Sequence, residues 1–348
     1  MPQRNHRLLA GGQTPRCHPR LSQSTAPARG PLHHGLRRPD QGMRIATVFC
    51  ILFLSLGCRR PPPAPARPSP TTSVLELSLA SFNIRYENPT ERDWRSWPNR
   101  LDRVVRSIRA MSPDLFGIQE SLHGQSADLR ASLPDYEFHG IGRDDGHRAG
   151  EYSAILFRRD RFEKTEGGTF WLSDHPEVPG SMTWGNEFPR VVTWVRLTDL
   201  HSGRAFHVFN THWDHRNQYS RERAAPLIAD RIDSRPDPTE PVILLGDFNA
   251  TEGNPAVDYL TGRPVTLAGE TMPRWRTGLV DTFQHLHPEV KNRRTLHFWD
   301  GHSTGWAKVD HILVSRGVRI SSAGIRIEKS RTEQPSDHFP VWAKVRWP

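Results

Sequence analysis

The run VILLGDFNA (242–250) ends an apolar segment with Gly246 and then sets out Asp247 and Asn249, a carboxylate and a carboxamide two residues apart. A segment that apolar reads as a buried strand, and the glycine after it as the point where the chain turns outward. FHVFNTH (206–212) closes in the same way on Asn210 and His212, and SLASFNIR (78–85) on Asn83. LFGIQE (115–120) delivers Gln119 and Glu120, while KVDHILVS (308–315) and SDHFPV (336–341) add Asp310, Asp337 and His338. Hard oxygen ligands, amides and histidines at the ends of several strands form the donor set that divalent-metal phosphoester hydrolysis needs.

The elements that must position these residues follow from hydrophobic patterning. Segments rich in Val, Ile, Leu and aromatics at 75–84, 115–119, 152–158, 190–198, 205–211, 242–247, 309–315 and 341–347 predict strands. Leu101, Val104, Val105, Ile108 and Met111 recur at helical spacing over 99–111, with arginines on the other face. The segment 220–233 repeats that pattern more weakly, with Pro226 inside it as a cost, and 125–133 and 255–260 are short helix candidates. Strands and helices in mixed order, without a repeat of fixed period, imply one α/β domain.

The order SFNIR, IQE, GEYSAILFRRDRF, GTFWLS, NTHWDH, GDFNA, KVDHILVS, SDHFPV resembles the endonuclease/exonuclease/phosphatase superfamily over about residues 75–347. GEY together with GTFWLS is most similar to its secreted bacterial branch. The resemblance implies a four-layer αββα sandwich of two mixed β-sheets flanked by helices, with the site at one end of the sheets. It also implies Mg²⁺ as cofactor, with Mn²⁺ as the alternative.

Carried over by position, Glu120 resembles the principal metal ligand, and Asn83 the amide that orients it or reaches the metal through water. Asp337 resembles a second metal-site or orienting carboxylate. Asp247 and Asn249 would position the attacking water and the phosphoryl oxygens, and Asp310 would pair with His338. Either Asp247 or His338 can serve as the base at this point. His212 resembles the phosphate-facing histidine, with Glu151 as its acidic partner and Asn210 beside it on the phosphoryl group. Arg85, His297 and Lys308 are within range of a phosphate in sequence terms, although RTLHFWDG carries Arg294 where the family's GTFH segment has glycine. All eleven tryptophans lie after residue 73. Trp171, Trp213, Trp299 and Trp306 fall near site loops, and Trp213, next to His212, is the one expected to touch substrate. A zinc site in His212–His215 has neither a cysteine nor an HExxH-type helix to support it.

The formal charge of +9 is confined to the leader. Residues 1–42 carry seven arginines and one acid, and residues 43–70 four arginines and none, which leaves 36 basic and 37 acidic residues in 71–348. A near-neutral body gives no support for a dominant phosphate-backbone partner. Cys17, Cys50 and Cys58 all precede residue 59, so the body has no disulfide and no thiolate metal site, and its core must hold it together.

Residues 1–42, rich in Pro, Arg, Gly and His, read as a disordered or mis-called leader, with Met43 as the true start. Residues 43–58 read as a secretory signal whose LSLGC ending is similar to a bacterial lipobox, with Ser55 where the lipobox has leucine. Lipidation at Cys58 would anchor the protein to a membrane outside the cytoplasm. Plain signal cleavage, giving a secreted or periplasmic protein, is the alternative. A Pro-rich tether over 59–73 then precedes a catalytic domain over 74–348.

Together these features imply an exported, metal-dependent phosphoesterase acting on nucleic acid, a sugar phosphate or a lipid head group, with no protein partner. An extracellular nuclease and a lipid head-group phosphodiesterase are the variants within that class. The rival from another class is a lipoprotein that binds an anionic ligand or glycan on the same fold, and it would predict damage to Glu120, Asp247, Asp310 or Asp337, all of which are intact.

Overall fold

The computed structural model describes residues 74–328 and 333–348. The leader, signal, Cys58 and tether expected over residues 1–73 lie outside them. No helix among the described residues is long and apolar enough to cross a membrane.

Among the described residues, fourteen strands and five helices follow in chain order. The first sheet is built from β1 (Leu75–Asn83), β2 (Leu115–Ser121), β3 (Tyr136–His139), β4 (Tyr152–Arg158), β13 (Arg319–Ile325) and β14 (Val341–Trp347), in the order β13-β14-β1-β2-β4-β3. The second holds β5 (Phe162–Trp171), β6 (Val191–Asp199), β7 (Ala205–His212), β8 (Val242–Asp247), β11 (Val280–Asp281) and β12 (Asp310–Val314), in the order β11-β12-β8-β7-β6-β5. A small ribbon pairs β9 (Val265–Leu267) with β10 (Glu270–Met272). Both six-stranded sheets are mixed, because β1–β2 and β7–β8 run parallel and their neighbours antiparallel.

Alternate residues of the two sheets meet in a central apolar layer that includes Leu77, Leu79, Ile155, Val208, Ile243, Leu245 and Val345. On the outer face of the first sheet, α1 (Trp97–Met111) and α2 (His123–Ser132) bury Val104, Val105, Ile108 and Leu129 against Phe82, Phe116 and Ile118. On the outer face of the second, α3 (Gln218–Asp233) and α4 (Pro255–Leu260) bury Ala225, Ile228, Ile232 and Val257 against Phe209, Val242 and Leu244. A short α5 (Thr282–Leu286) follows β11. The result is the expected αββα sandwich. Pro226 is accommodated inside α3, whose start is capped by the Asn217 side chain accepting from the Ser220 amide.

The sheets approach most closely where the donor-bearing strands end. Gly117 on β2 faces the second sheet so tightly that a Cβ there would stand 2.2 Å from Leu245 Cδ1 and 2.7 Å from Asn210 Cγ. Asn210 fills the space this glycine leaves. Its amide donates to the carbonyls of Ile118 and Ala154 on β2 and β4, and its Oδ1 accepts from Gln119 Nε2 at 2.7 Å. Because the buried Asn210 amide has its donors and its acceptor engaged by the facing sheet, it locks the two sheets in register at the site end.

Candidate active site

Strand register places the chemistry in a row. On the second sheet His212 pairs with Asp247 across β7 and β8, and Asp247 pairs with Asp310 across β8 and β12. On the first, Asn83 pairs with Gln119, so Asn83 and Glu120 end neighbouring parallel strands. Three residues just past these ends adopt positive φ, Arg85 at 59°, Glu120 at 63° and Asn249 at 46°. Left-handed backbone is uncommon for non-glycine residues and costs energy, so its recurrence at three strand ends fits a constellation held against local preference. Gly246 makes the last turn possible, at φ 143°, since a Cβ there would stand 2.0 Å from the Thr211 carbonyl oxygen.

Asn83 joins the two sheets. Its Nδ2 donates to Glu120 Oε1 and to Asp247 Oδ2, both at 2.9 Å, and its Oδ1 accepts from the Arg85 amide. One amide therefore sets the separation of two buried carboxylates. Asp247 Oδ2 also stands 3.5 Å from His212 Nε2 and 3.7 Å from His338 Nε2, and its Oδ1 accepts from the Asn249 amide. Asn249 Nδ2 donates to the Trp213 carbonyl, which fixes the turn.

The two histidines beside Asp247 differ in charge, one cationic and the other neutral. His338 Nδ1 contacts Asp310 Oδ2 at 2.8 Å. Burial opposes its protonation, but Asp310 and Asp247 outweigh burial and raise its pKa to about 10. His212 is lowered to about 3 by burial and by the nearby Arg190 guanidinium, and is therefore neutral. Its Nδ1 lies 3.6 Å from Glu151 Oε2, which accepts from Arg143 Nη1 at 2.7 Å.

Arg85 stands among the carboxylates, 3.3 Å from Glu91, 3.9 Å from Glu120 and 3.7 Å from Asp337. Burial, and then the charge on Glu120, push the Asp337 carboxyl pKa up against the pull of His338 and Arg85. Arg100 of α1 holds this wall from behind, donating to the carbonyls of Arg95, Ile84, Arg85, Tyr86 and Pro335.

Glu120, Glu151, His212, Asp247, Asn249, Asp337, His338 and Arg85 thus line one cleft of about 690 Å³, with Asp310 behind His338. Three residues expected to contact substrate do not line it. Asn210 is spent between the sheets as described. Trp213 is fully buried and stacks on Phe248 at 4.5 Å, because it faces the side of its strand opposite His212. His297 is buried against Phe339 at 4.1 Å, while its neighbours Leu296 and Phe298 line the cleft. Of the other tryptophans singled out, Trp171 is buried, Trp299 lines the cleft and Trp306 is exposed.

His215, the last residue of NTHWDH, also lines the cleft, and sequence reasoning missed Arg143, Phe188, Arg190 and Arg216, which line it too. They come from separate loops and a strand start, and no local motif marks them.

A metal fits the donor set. Ligand atoms of Glu120, His212 and Asp247 lie within 4.8 Å of one another, and carboxylate oxygens beside one neutral imidazole suit a hard divalent ion. Asn83, with its N–H groups turned to the carboxylates, orients them. Two other acid–histidine groups are close-packed. In one, the Asp310–His338 contact already occupies the facing atoms. In the other, Glu252, Asp281 and His311 surround the Lys308 ammonium, 2.8 Å from Glu252 and 3.4 Å from Asp281, so a cation is built in. Lys308 is accordingly tied up in the core and is not free for a phosphate.

The sequence model of the endonuclease/exonuclease/phosphatase family matches residues 80–338. The chain belongs to this family. It is 32% identical to the endonuclease/exonuclease/phosphatase of Bacteroides vulgatus, with a TM-score of 0.70 over 79% of this chain and 100% of that one. It is 30% identical to a mannosyl-6-phosphatase of Bacteroides thetaiotaomicron, with a TM-score of 0.67 over 77% and 99% of the two chains. Exodeoxyribonuclease III of Haemophilus influenzae is 25% identical over 78% of this chain and all of that protein. Other curated relatives are matched over less of their length. The match spans 60% of an uncharacterised mimivirus protein and 46% of a probable RNA exonuclease of Schizosaccharomyces pombe.

Proposed function

We propose that this protein hydrolyses phosphoesters with a divalent metal, Mg²⁺ or Mn²⁺, and that it does so outside the cytoplasm, anchored through Cys58. The observation that carries the catalytic part is the row His212–Asp247–Asp310 set against Asn83–Glu120, with His338 over Asp247. Relatives bearing the names mannosyl-6-phosphatase and exodeoxyribonuclease III support the reaction class. The signal-like segment 43–58 supports export.

Glu120 and His212 would hold the metal, beside Asp247. When bound, the ion supplies charge neutralisation at the phosphoryl oxygens and acidifies water. The chain's own groups divide the rest. Held as an imidazolium by Asp310, His338 has no lone pair to take a proton, so the role of base falls to Asp247, whose Oδ2 faces the cleft between both histidines. His338 then stabilises negative charge developing on the phosphoryl group. Neutral His212, with Glu151 3.6 Å from its Nδ1, presents a ring nitrogen to the same centre.

The experiment is hydrolysis of bis(p-nitrophenyl) phosphate, p-nitrophenyl phosphate, plasmid DNA and sphingomyelin with Mg²⁺, Mn²⁺ or EDTA, for the wild type, Asp247→Ala and His338→Ala. Metal-dependent turnover that falls by roughly 10²–10⁴-fold in both variants is the expected result. Turnover that survives EDTA, or survives either substitution, refutes the reading.

A further inference from the structure

Each cationic arginine along the cleft has a carboxylate partner except one. Arg85 pairs with Glu91 at 3.3 Å, Arg143 with Glu151 at 2.7 Å and Arg216 with Glu187 at 2.8 Å. Arg190 begins the run into β6 and lines the same cleft, yet it is only 3% exposed. Its sole side-chain hydrogen bond among the described residues runs from Nη2 to His215 Nδ1 at 3.0 Å. Its Nε and Nη1 are buried without a protein partner, and no described carboxylate oxygen comes within 4.0 Å of its guanidinium.

A buried guanidinium that touches only a His ring, is repelled by Arg143 and is attracted by Glu151, Asp214 and Glu120 only from beyond ion-pair distance is costly to the fold. Its planar fork of donors is suited to a phosphate or carboxylate, and two of its nitrogens are free to engage one. The surroundings are built rather than incidental. Trp171 Nε1 donates to the Arg143 carbonyl at 2.6 Å, the Leu172 amide donates to the Arg190 carbonyl, and the Arg143 guanidinium lies 5.3 Å over the half-exposed ring of Phe188. This wall lies beyond the His212–Glu151–Arg143 chain of contacts and makes no ion pair with Glu120, Asp247 or Asp337. It therefore stands beside the place where the scissile group is attacked without being tied to its carboxylates.

We propose that the Arg190 wall is a second-anion subsite, which holds a phosphate or carboxylate that the substrate carries in addition to the phosphoester being cleaved. The inference rests on the phosphoesterase reading and narrows its substrate class to compounds with two anionic groups. Phe188, at the lip, would cover the apolar part of the substrate next to that second anion.

The test uses matched pairs that differ only in the second anion: thymidine 5′-(p-nitrophenyl phosphate) with and without a 3′-phosphate, and glucose 1,6-bisphosphate against glucose 6-phosphate. The expected wild-type preference is roughly tenfold or more in kcat/KM for the doubly anionic member of the pair it hydrolyses, carried by KM. Arg190→Gln should erase that preference, raising KM for the doubly anionic member more than for the singly anionic one, and Arg190→Lys should restore part of it. In the absence of ligand Arg190→Gln should melt no lower than the wild type, since it removes an unpaired buried charge, whereas an arginine serving only the fold would lower the melting point on loss. No wild-type preference in either pair, or an equal loss for both members in Arg190→Gln, overturns the proposal, and the first of these needs no variant to fold. If the wild type hydrolyses none of the four compounds, the phosphoesterase reading fails separately. The subsite is then decided by calorimetric binding of methylenediphosphonate against methylphosphonate. Tighter binding of the first that is lost in Arg190→Gln supports it, and equal binding overturns it.

Discussion

Replacing Asp310 by Asn keeps the shape of the side chain and removes the charge that holds His338 protonated. The contact is short, 2.8 Å, and Asp310 is fully buried, so the perturbation acts almost entirely through charge. His338 rises from an ordinary 6.5 to about 10 in the folded protein. At about 1.4 kcal/mol per pKa unit that shift couples roughly 5 kcal/mol to folding. Because the folded value lies above the unfolded one, this stability is present in full below about pH 6.5 and is lost as pH rises through about 10. Removing one opposite charge at contact distance lowers a pKa by ~1–3 units, so Asp310→Asn should flatten the decline by ~1.4–4 kcal/mol between pH 6 and pH 10. Urea unfolding of both proteins at the two pH values, in EDTA so that only the chain's charges act, measures the difference of differences, and NMR titration of the His338 ring measures its pKa directly. A wild-type His338 that titrates near 6.5, or identical pH dependence in the two proteins, would refute both the imidazolium and the assignment of Asp247 as base.

Two further outcomes test the scaffold under the site. Gly117→Ala drives a methyl into Leu245 and Asn210 and should cost ~1–3 kcal/mol in urea unfolding, with activity falling further because the Asn210 bridge between the sheets is displaced. A Gly117→Ala protein as stable and active as the wild type would show that the sheets do not meet there. Lys308→Met strands the buried Asp281 and leaves half-buried Glu252 without its cation, and should cost ~3–5 kcal/mol at neutral pH. Acid should narrow that gap, as protonation removes the stranded charges, and a gap that does not change with pH would contradict the ion-pair reading.

How much of the molecule is legible in its sequence follows from where each residue's partners lie. The eight strands expected from patterning all form, and they include every central strand of both sheets. Of the six strands that patterning misses, β3, β5, β11 and β13 are the four edges of the large sheets, and β9 and β10 form the small ribbon. An edge strand has one neighbour and more solvent, so FEKTEGGTFW and RISSAGI carry charges and small residues where a central strand carries Val and Leu. The donors Asn83, Glu120, His212, Asp247 and Asp310 are legible because each ends a central strand, and adjacent strands in register bring such ends together whatever the loops do. Side-chain direction is less legible. Asn210 shares the parity of His212 but turns into the space over Gly117, a contact between strands far apart in sequence.

The same reasoning explains why the cleft wall was invisible. Arg143, Phe188 and Arg190 sit in loops or at a strand start, and nothing in their local sequence distinguishes Arg190 from the chain's many paired arginines. What distinguishes it is a missing partner, and that is a property of the folded surroundings. Motifs therefore report the groups that must act together on a phosphoryl centre. The groups that choose among phosphoesters answer to a different constraint, since a residue selective for a substrate feature is left unsatisfied until that feature arrives. In this protein the unsatisfied group is a buried cation beside the reaction centre, so specificity is to be looked for in the uncompensated charge of the cleft rather than in its motifs.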